Sequence, residues 1–333
     1  MSVIVNSAPV SRIIIDGIAA TVANKGENVQ IFSNGFAMQP TPIVELSTGT
    51  RAGQLQEFIA LDDPNDQDAL IAYYSAWSNG AGDDTAIWRC VGTKATPNVW
   101  TDHTEVLTAN DAGMDYVRLG AVTWDGSTYR FFLSGGTDGV YRVNSVDGID
   151  LSATPVSVLT QAGQGVVEVG AVSLFAAIIL DGVHWGVYTV NSATPSARFR
   201  LATSPTGDTW TKTDDTILAP SASGADSGGF EWHFLNVVGS DLVMSYESWN
   251  GVNAWTGNIA YAPLAGFGGT WSKLPAPVLV ADPESTFAQV NVATPSFRKI
   301  SGQWYMFFQG VNEVPGVPTG NGGPWQIGIS QLN

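Results

Sequence analysis

Polar side chains that could bind a ligand recur along this sequence at intervals of roughly 50 to 65 residues. Glu57, Arg118, Glu168, His233 and Asn291 each stand in or beside a short apolar run, and we expect them at equivalent positions of a repeated strand. Groups of these types hydrogen-bond the hydroxyl groups of sugars. With their neighbours they give these candidate ligand-binding residues: Asp115, Tyr116, Arg118, Glu231, Trp232, His233, Gln289 and Asn291.

Tryptophan side chains accompany these polar groups near expected turns and strand ends. A flat indole ring stacks on the apolar face of a pyranose, so tryptophans at such places favour carbohydrate binding. We assign Trp88, Trp100, Trp210 and Trp271 to packing between sheets instead. The candidates for a sugar-facing surface are Trp77, Trp124, Trp232, Trp249, Trp255 and Trp325.

The elements that must position these residues form a unit of four short strands, which recurs five times. Each unit begins with the strand that carries the polar residue and continues with an apolar, aromatic run, such as residues 304–308. A third short strand follows, and the fourth ends in a β-branched residue and Leu; Trp100, Trp210 and Trp271 open three of these fourth strands. Gly, Asp, Asn and Ser turns separate the strands. This pattern is typical of a five-bladed β-propeller.

The fifth unit lacks its fourth strand, because the chain ends at Asn333 just after the third. Residues 36–44 resemble the missing strand, so we expect the N- and C-terminal strands to pair and close the ring. We therefore predict an all-β protein with a short N-terminal extension, residues 1–34, and a single propeller, residues 35–333. The propeller segments are residues 35–50, 54–108, 114–160, 165–219, 229–280 and 287–333, of which the first completes the last blade.

The composition argues against several classes of partner. Acidic residues number 30 against 14 basic ones, and a formal net charge of −16 leaves no basic face for nucleic acid. The longest apolar stretch, residues 166–180, contains Glu168 and is too short for a membrane span, so we expect a soluble protein. Cys90 is the only cysteine, which excludes a disulfide within the chain. We see no secretory signal at the start of the sequence.

We expect no metal and no cofactor. The histidines at 103, 184 and 233 lack the paired spacing of a zinc site. The acidic loop at residues 62–68 has the oxygen-rich composition of a calcium loop but misses its ordered spacing and glycine. We interpret this loop as a solvated turn and keep calcium as the alternative.

The N-terminal extension contains residues 10–20, whose pattern indicates a strand, a turn and another strand. Two interpretations stay open. The segment is either a hairpin packed on the rim of the propeller or an element that attaches the propeller to a larger protein assembly.

Two stretches carry a resemblance to a known family. Residues 293–297 with 302–308, and residues 201–210, look like blades of the five-bladed glycoside hydrolases, the arabinanase, xylosidase and levansucrase/invertase group. The resemblance covers most of the chain as a repeat pattern. Those enzymes carry a carboxylate base or nucleophile on the first strand of the first blade, an aspartate on the second blade and a glutamic acid proton donor on the third.

The resemblance implies catalytic roles for Glu57 and Glu168, which fall on the first and third blades. The second blade departs from the pattern, with Arg118 in register and Asp115 three residues away. An Arg in that layer would lower the pKa of Glu168 and keep it ionised, which is unfavourable for a proton donor. The set of catalytic carboxylates is therefore incomplete.

The sequence favours a glycan-recognising propeller that acts in adhesion or surface recognition, as a component of a virion or another assembly. We favour a virion or extracellular surface over the cytoplasm. Two alternatives remain: a glycoside hydrolase that uses Glu57 and Glu168, and a purely structural or decoration protein. The last remains open because innermost propeller strands enclose a water-filled channel, so that polar lining is expected even without a ligand.

Overall fold

The computed structural model describes the backbone of residues 13–15 and 18–20, and residues 28–46, 53–78, 85–136, 139–165, 167–168, 170–191, 198–251, 255–265, 268–269, 271–312 and 324–333. A 3-10 helix (Val29–Asn34) and a short helix, α1 (Ala109–Ala112), accompany the strands. No helix in these ranges is long and apolar enough to cross a membrane. The strands are β1 (Ile13–Ile15), β2 (Ile18–Ala20), β3 (Phe36–Met38), β4 (Gln54–Asp63), β5 (Asp66–Trp77), β6 (Thr85–Thr93), β7 (Thr96–Thr108), β8 (Arg118–Trp124), β9 (Tyr129–Ser134), β10 (Val140–Ser145), β11 (Val156–Leu159), β12 (Ala171–Leu180), β13 (Val183–Asn191), β14 (Arg198–Ser204), β15 (Thr211–Leu218), β16 (Gly229–Val238), β17 (Asp241–Trp249), β18 (Trp255–Pro263), β19 (Ser272–Lys273), β20 (Asn291–Ile300), β21 (Gln303–Val311) and β22 (Gln326–Leu332).

The strands form five sheets in which consecutive strands are hydrogen-bonded in order. Blade 1 contains β4–β7, blade 2 β8–β11, blade 3 β12–β15, blade 4 β16–β19, and blade 5 β20–β22 with β3. The first strands contact one another in a closed cycle, from β4 to β8, β12, β16 and β20 and back to β4. The architecture is the five-bladed β-propeller that the sequence predicted, with these first strands innermost.

Tight turns join the first and second strands of several blades. Asp181 and Gly182, with φ of 49° and 79°, connect β12 to β13. Ser301 and Gly302, with φ of 49° and 87°, connect β20 to β21 in the same way. Two successive residues with positive φ match the twist of an antiparallel pair, and Asp, Ser and Gly at these places are what such hairpins require.

The two ends of the chain meet in blade 5. Phe36 in β3 lies opposite Leu332 in β22, and Val44 forms a further bridge to Ile327. Phe36 is 8% exposed and stacks on Phe32 with ring centroids 5.7 Å apart. The predicted closure of the ring by the N- and C-terminal strands is confirmed.

The hydrophobic core is divided among the interfaces between neighbouring blades. One cluster of buried side chains joins blades 1 and 2, and similar clusters join each following pair, including blades 5 and 1. Trp100, Trp210 and Trp271 belong to three of these clusters, as expected for packing residues. Phe58, for example, makes an edge contact with Trp100 at 4.9 Å and contacts Phe307 of blade 5 at 5.0 Å.

The N-terminal extension contributes a hairpin, since β1 pairs with β2. Strand β1 also pairs with β12, with Ile13 opposite Leu180 and Ile14 opposite Ile179. The hairpin therefore continues the sheet of blade 3 from its innermost strand, near the end of that strand, and does not lie on the outer rim. Residues 1–12, 16–17 and 21–27 of the extension lie outside the described residues, and its role in attachment stays a prediction.

Replacing Phe36 with Ala tests the closure. We expect the variant to lose about 3 kcal/mol of unfolding free energy, because a large buried side chain is removed from the strand that completes the ring. Val280→Ala, at a side chain that is 54% exposed, is the control and should change stability by less than about 0.5 kcal/mol. Urea denaturation measures both; equal midpoints would contradict the closure.

Candidate functional site

A β-bulge interrupts the innermost strand of every blade. Pairing with the second strand skips between residues 56 and 59 in blade 1, 119 and 121 in blade 2, 173 and 175 in blade 3, 230 and 233 in blade 4, and 293 and 296 in blade 5. Glu57, Leu174 and Thr294 occupy the bulges with φ of 45°, 41° and 47°. Bulges redirect side chains and bend the strand, so they determine which residues face the centre of the ring.

Because of the bulges, the five polar residues that the sequence predicted at equivalent positions of the innermost strands are not equivalent. The bulged positions place Glu57 in register with Leu174 and Thr294, and not with Glu168 or Asn291. The predicted ring of equivalent polar residues does not hold, because Glu168 precedes β12 and Asn291 begins β20, both ahead of the bulges of their blades, whereas Glu57 lies in a bulge.

A cavity of about 480 Å³ opens at the end of the propeller where the innermost strands begin. Four residues that the sequence singled out line this cavity: Asp115, Tyr116, Arg118 and Glu231. The complete lining is Asp115, Tyr116, Arg118, Ser134, Gly136, Ala171, Ser173, Leu174 and Glu231. Asp115 and Glu231 are exposed, so both present carboxyl groups to solvent at the cavity. Blades 2, 3 and 4 contribute the lining together.

An ion pair between Arg118 and Glu57 lies beneath the cavity and connects blades 2 and 1. Nε of Arg118 donates to Oε1 of Glu57 at 2.8 Å, and Nη2 donates to the same oxygen. Glu57 is fully buried, and this burial raises its pKa although Arg118 acts in the opposite direction. Burial disfavours the charge of Arg118, but attraction to Glu57, Glu231 and Glu247 outweighs it and raises the pKa of Arg118.

Glu247, on the second strand of blade 4, is a functional candidate that the sequence analysis missed. It is 3% exposed, and burial together with the negative charge of Glu231 raises its pKa to about 8. A pKa raised in this way favours the protonated carboxyl group at neutral pH. The only sequence signal is a Glu directly after the apolar run at residues 242–246, in the second strand of the fourth unit.

Glu247 also occupies a recurring structural position. In three blades a side chain near the end of the second strand accepts a hydrogen bond from a backbone N–H at the bulge of the next blade. The pairs are Ser75 with Leu119, Ser134 with Leu174, and Glu247 with Thr294, at 2.8, 3.0 and 2.5 Å. A hydroxyl group fulfils this structural task in two blades, whereas blade 4 uses a buried carboxyl group.

Tyr116 forms an aromatic wall beside the cavity. Its hydroxyl donates to the carbonyl of Gly136 at 2.7 Å, and its ring stacks with Trp77 at 6.2 Å and an interplanar angle of 25°. Burial raises the pKa of Tyr116. Trp77 lies at the same end of blade 1 as the cavity, whereas Trp124 stands at the far end of β8; a sugar-facing role for Trp77 stays a prediction.

Glu168 does not line the cavity with the other predicted residues. It is 3% exposed, accepts a hydrogen bond from the hydroxyl of Tyr188 at 2.6 Å and pairs with Nε of Arg200 at 3.4 Å. These contacts hold it within blade 3, where Tyr188 belongs to the second strand and Arg200 to the third. Glu57 and Glu168 therefore have separate partners, Arg118 for one and Arg200 for the other.

His233 and Trp232 are turned into the core. Nε2 of His233 lies 2.8 Å from the carbonyl oxygen of Val187, and its ring lies 4.4 Å from that of Phe199. Burial lowers the pKa of His233 to about 4, so the ring is neutral at neutral pH. Trp232 is fully buried in the cluster between blades 1 and 2.

Asn291 and Gln289 lie at the start of blade 5. Asn291 is fully buried, and its Oδ1 accepts a hydrogen bond from the backbone N–H of Trp255 at 3.0 Å. Gln289 is exposed, and its side-chain amide donates to the carbonyl of Pro283 at 3.4 Å. Neither belongs to the cavity lining, and their roles in binding stay predictions.

The described part of the chain contains no group of three His, Cys, Asp or Glu side chains that could hold a metal ion. In the acidic loop, Asp63 accepts from the backbone N–H of Asn65 at 2.8 Å. Asp62 pairs with Lys94 at 2.9 Å and with Arg298. These contacts engage two of the carboxylates that would be candidate calcium ligands.

Solved structures of other proteins share this fold. A structure described as a glycoside hydrolase has a TM-score of 0.68 at 12% identity, over 91% of this chain and 94% of that chain. An α-L-arabinofuranosidase from Podospora anserina in complex with cellotriose has a TM-score of 0.65 at 11% identity, over 90% of this chain and 98% of that chain. An endo-arabinase from Bacteroides thetaiotaomicron has a TM-score of 0.58 at 12% identity, over 87% of this chain and 97% of that chain. No protein-family model and no curated protein sequence matches. The fold is that of propeller glycoside hydrolases, which confirms the resemblance at the level of fold.

Arg118→Met tests the buried ion pair. We expect a loss of about 3 to 5 kcal/mol at pH 7, because Glu57 is left buried without its cation. Glu57→Gln combined with Arg118→Met should recover most of the loss. Without Arg118 the pKa of Glu57 in the folded protein rises further above its unfolded value. The loss of unfolding free energy in Arg118→Met relative to wild type should therefore be smallest near pH 4 and grow as the pH increases. A double variant no more stable than the single one in urea denaturation would refute the pairing.

Glu247→Gln tests the protonated carboxyl group. The folded-state pKa of Glu247, about 8, lies above its unfolded value, so its stabilising contribution is lost as the pH rises from about 5 to 8. The Gln variant lacks this titration and should gain on the order of 3 kcal/mol relative to wild type over that range. Urea denaturation at pH 5, 6.5, 8 and 9 measures it, with the exposed Glu284→Gln as control. Parallel stability profiles for wild type and Glu247→Gln would exclude the raised pKa.

Proposed function

We propose that this protein binds carbohydrate in the cavity at the mouth of the propeller. The observation that carries the proposal is the lining itself, in which Asp115, Tyr116 and Arg118 at the start of blade 2 converge with Glu231 of blade 4. Carboxylate groups accept hydrogen bonds from sugar hydroxyls, and the hydroxyl oxygen of Tyr116, whose proton is donated to the carbonyl of Gly136, can accept one as well. The fold, shared with glycoside hydrolases, supports the same ligand class by analogy.

The charges at the cavity favour a neutral sugar over an acidic one. Asp115 and Glu231 are exposed, and the described structure gives neither an ion pair. Arg118 is already committed to Glu57. A uronic or sialic acid would meet two carboxylates without a free cation, whereas a neutral polyol would meet suitable acceptors.

The proposed biological role is adhesion or surface recognition, as part of a virion or another assembly. The placement of the N-terminal hairpin supports this role. β1 pairs with Ile179 and Leu180 at the end of β12, whereas Ala171 and Ser173 at the start of the same strand line the cavity. A protein attached through its N-terminal extension would therefore keep its cavity directed away from the attachment point.

Glycoside hydrolysis is the second candidate function, and Glu247 favours it. A proton donor must be protonated at the working pH, and the pKa of Glu247 is raised to about 8 beside the carboxylate of Glu231. Glu57 and Glu168, by contrast, are each paired with an arginine. The candidate carboxyl pair thus becomes Glu231, which lines the cavity, and Glu247, which is buried and outside the lining; both lie on blade 4.

Titration calorimetry with cellotriose, xylotriose, arabinotriose and mannotriose tests the proposal. Glu231→Gln should weaken binding by at least about tenfold, because a charged acceptor contributes more than a neutral one. Glu284→Gln, an exposed position away from the cavity, is the charge-matched control and should bind as wild type does.

The same sugars incubated with the protein test hydrolysis through the release of reducing ends. Release that is lost in Glu247→Gln would support the second function. Binding without release would support recognition alone. Neither binding nor release with any of these sugars would contradict both functions and leave the structural or decoration role.

A further inference from the structure

Two stacked indole rings lie on blade 4 at the cavity end of the propeller. Trp249 ends β17 and Trp255 begins β18, and the two residues pair directly across the strands. Their rings are 6.1 Å apart with an interplanar angle of 18°, and both side chains are half-buried. The pair therefore presents aromatic surface to solvent beside the proposed binding cavity.

A polar network holds the hairpin that carries the two rings. The side-chain amide of Asn258 donates to Oγ of Ser248 at 2.7 Å and to Oγ1 of Thr256 at 3.0 Å. Oγ of Ser248 in turn donates to the carbonyl of Ala225 at 3.0 Å. Ser248 and Thr256 directly adjoin the tryptophans, so these hydrogen bonds hold together the two strands that carry the indoles.

Asn291 adds an unsatisfied donor next to the indoles. Its Oδ1 accepts from the backbone N–H of Trp255, but its Nδ2 has no hydrogen-bond partner among the described residues although the side chain is fully buried. An unpaired buried donor costs free energy, which a ligand hydroxyl would recover. Aromatic surface and a free amide donor together are the two elements of a sugar-binding subsite.

The indole pair lies within one or two sugar units of the cavity. Gly229 is directly opposite Trp249, and Glu231 of the cavity lining follows two residues later on the same strand. Two residues of a β-strand span about 7 Å. A chain of sugars can therefore occupy the cavity and the indole pair together.

We propose that Trp249, Trp255 and Asn291 form a second subsite, which stacks the next unit of an oligosaccharide whose end occupies the cavity. The inference rests on the proposed carbohydrate binding and specifies its ligand as a neutral sugar chain rather than a single sugar. An aromatic pair at a hairpin end can also serve packing alone. Trp124 and Tyr129 form such a pair at 4.4 Å, at the far end of β8 from the cavity, and provide the comparison.

The experiment compares each trisaccharide with its monosaccharide by titration calorimetry, using cellotriose, xylotriose, arabinotriose and mannotriose. Trp255→Ala should weaken trisaccharide binding by about three- to tenfold, the value of one aromatic stacking contact, and leave the monosaccharide unchanged. Trp124→Ala, which removes an indole from a comparable pair at the opposite end, should change neither affinity. Thermal unfolding verifies that both variants fold.

A second measurement does not depend on the stability of the alanine variants. Indole N–H resonances of the wild-type protein, assigned with Trp249→Phe and Trp255→Phe, should shift on adding the trisaccharide but not the monosaccharide. Equal affinity for both sugars with unshifted indole resonances would overturn the second subsite while leaving the cavity proposal intact. Failure of every sugar to bind wild-type protein would instead overturn the cavity proposal, and this inference with it.

Discussion

The ion pair between Arg118 and Glu57 is the interaction on which the arrangement of the cavity depends. It joins the innermost strands of blades 1 and 2, and the charges of Glu231 and Glu247 on blade 4 act on the same guanidinium. Taking an ion pair out of water costs several kcal/mol per ion, so its net contribution to stability is small even when its geometry is good. Its effect is to fix positions. One cation among three carboxyl groups leaves Glu57 committed, Glu247 protonated and Glu231 open to the cavity.

The bulges explain how a repeated fold produces a site without repeated residues. Each innermost strand has its irregularity near the cavity end, so the residues around it are the ones redirected toward the centre. The repeat then supplies a common frame, in which the second strand of blades 1, 2 and 4 accepts a hydrogen bond from the bulge of the next blade. Blade-specific residues such as Glu57 and Leu174 occupy the bulges and give the ring its asymmetry.

The repeat, the blade count and the closure of the ring could be predicted from the sequence because each depends on a pattern that many residues share. The positions of single side chains could not. An inserted residue at a bulge is invisible in a strand of alternating character, and it reverses the face of every residue beyond it. Arg118 and Glu231 were found because they stand before or within the bulge, whereas His233 lies just past it and packs against Phe199.

At Glu247 the protein uses a carboxyl group for a hydrogen bond that a hydroxyl group could make. The serines of blades 1 and 2 demonstrate that a hydroxyl group suffices to accept the hydrogen bond from the next bulge. A carboxyl group at the corresponding place in blade 4 must be buried, and it stays uncharged there only because its pKa is raised to about 8. The fold thus carries a cost at this position that a serine would avoid. A residue that departs from the local rule without a gain in packing marks a position at which function should be tested.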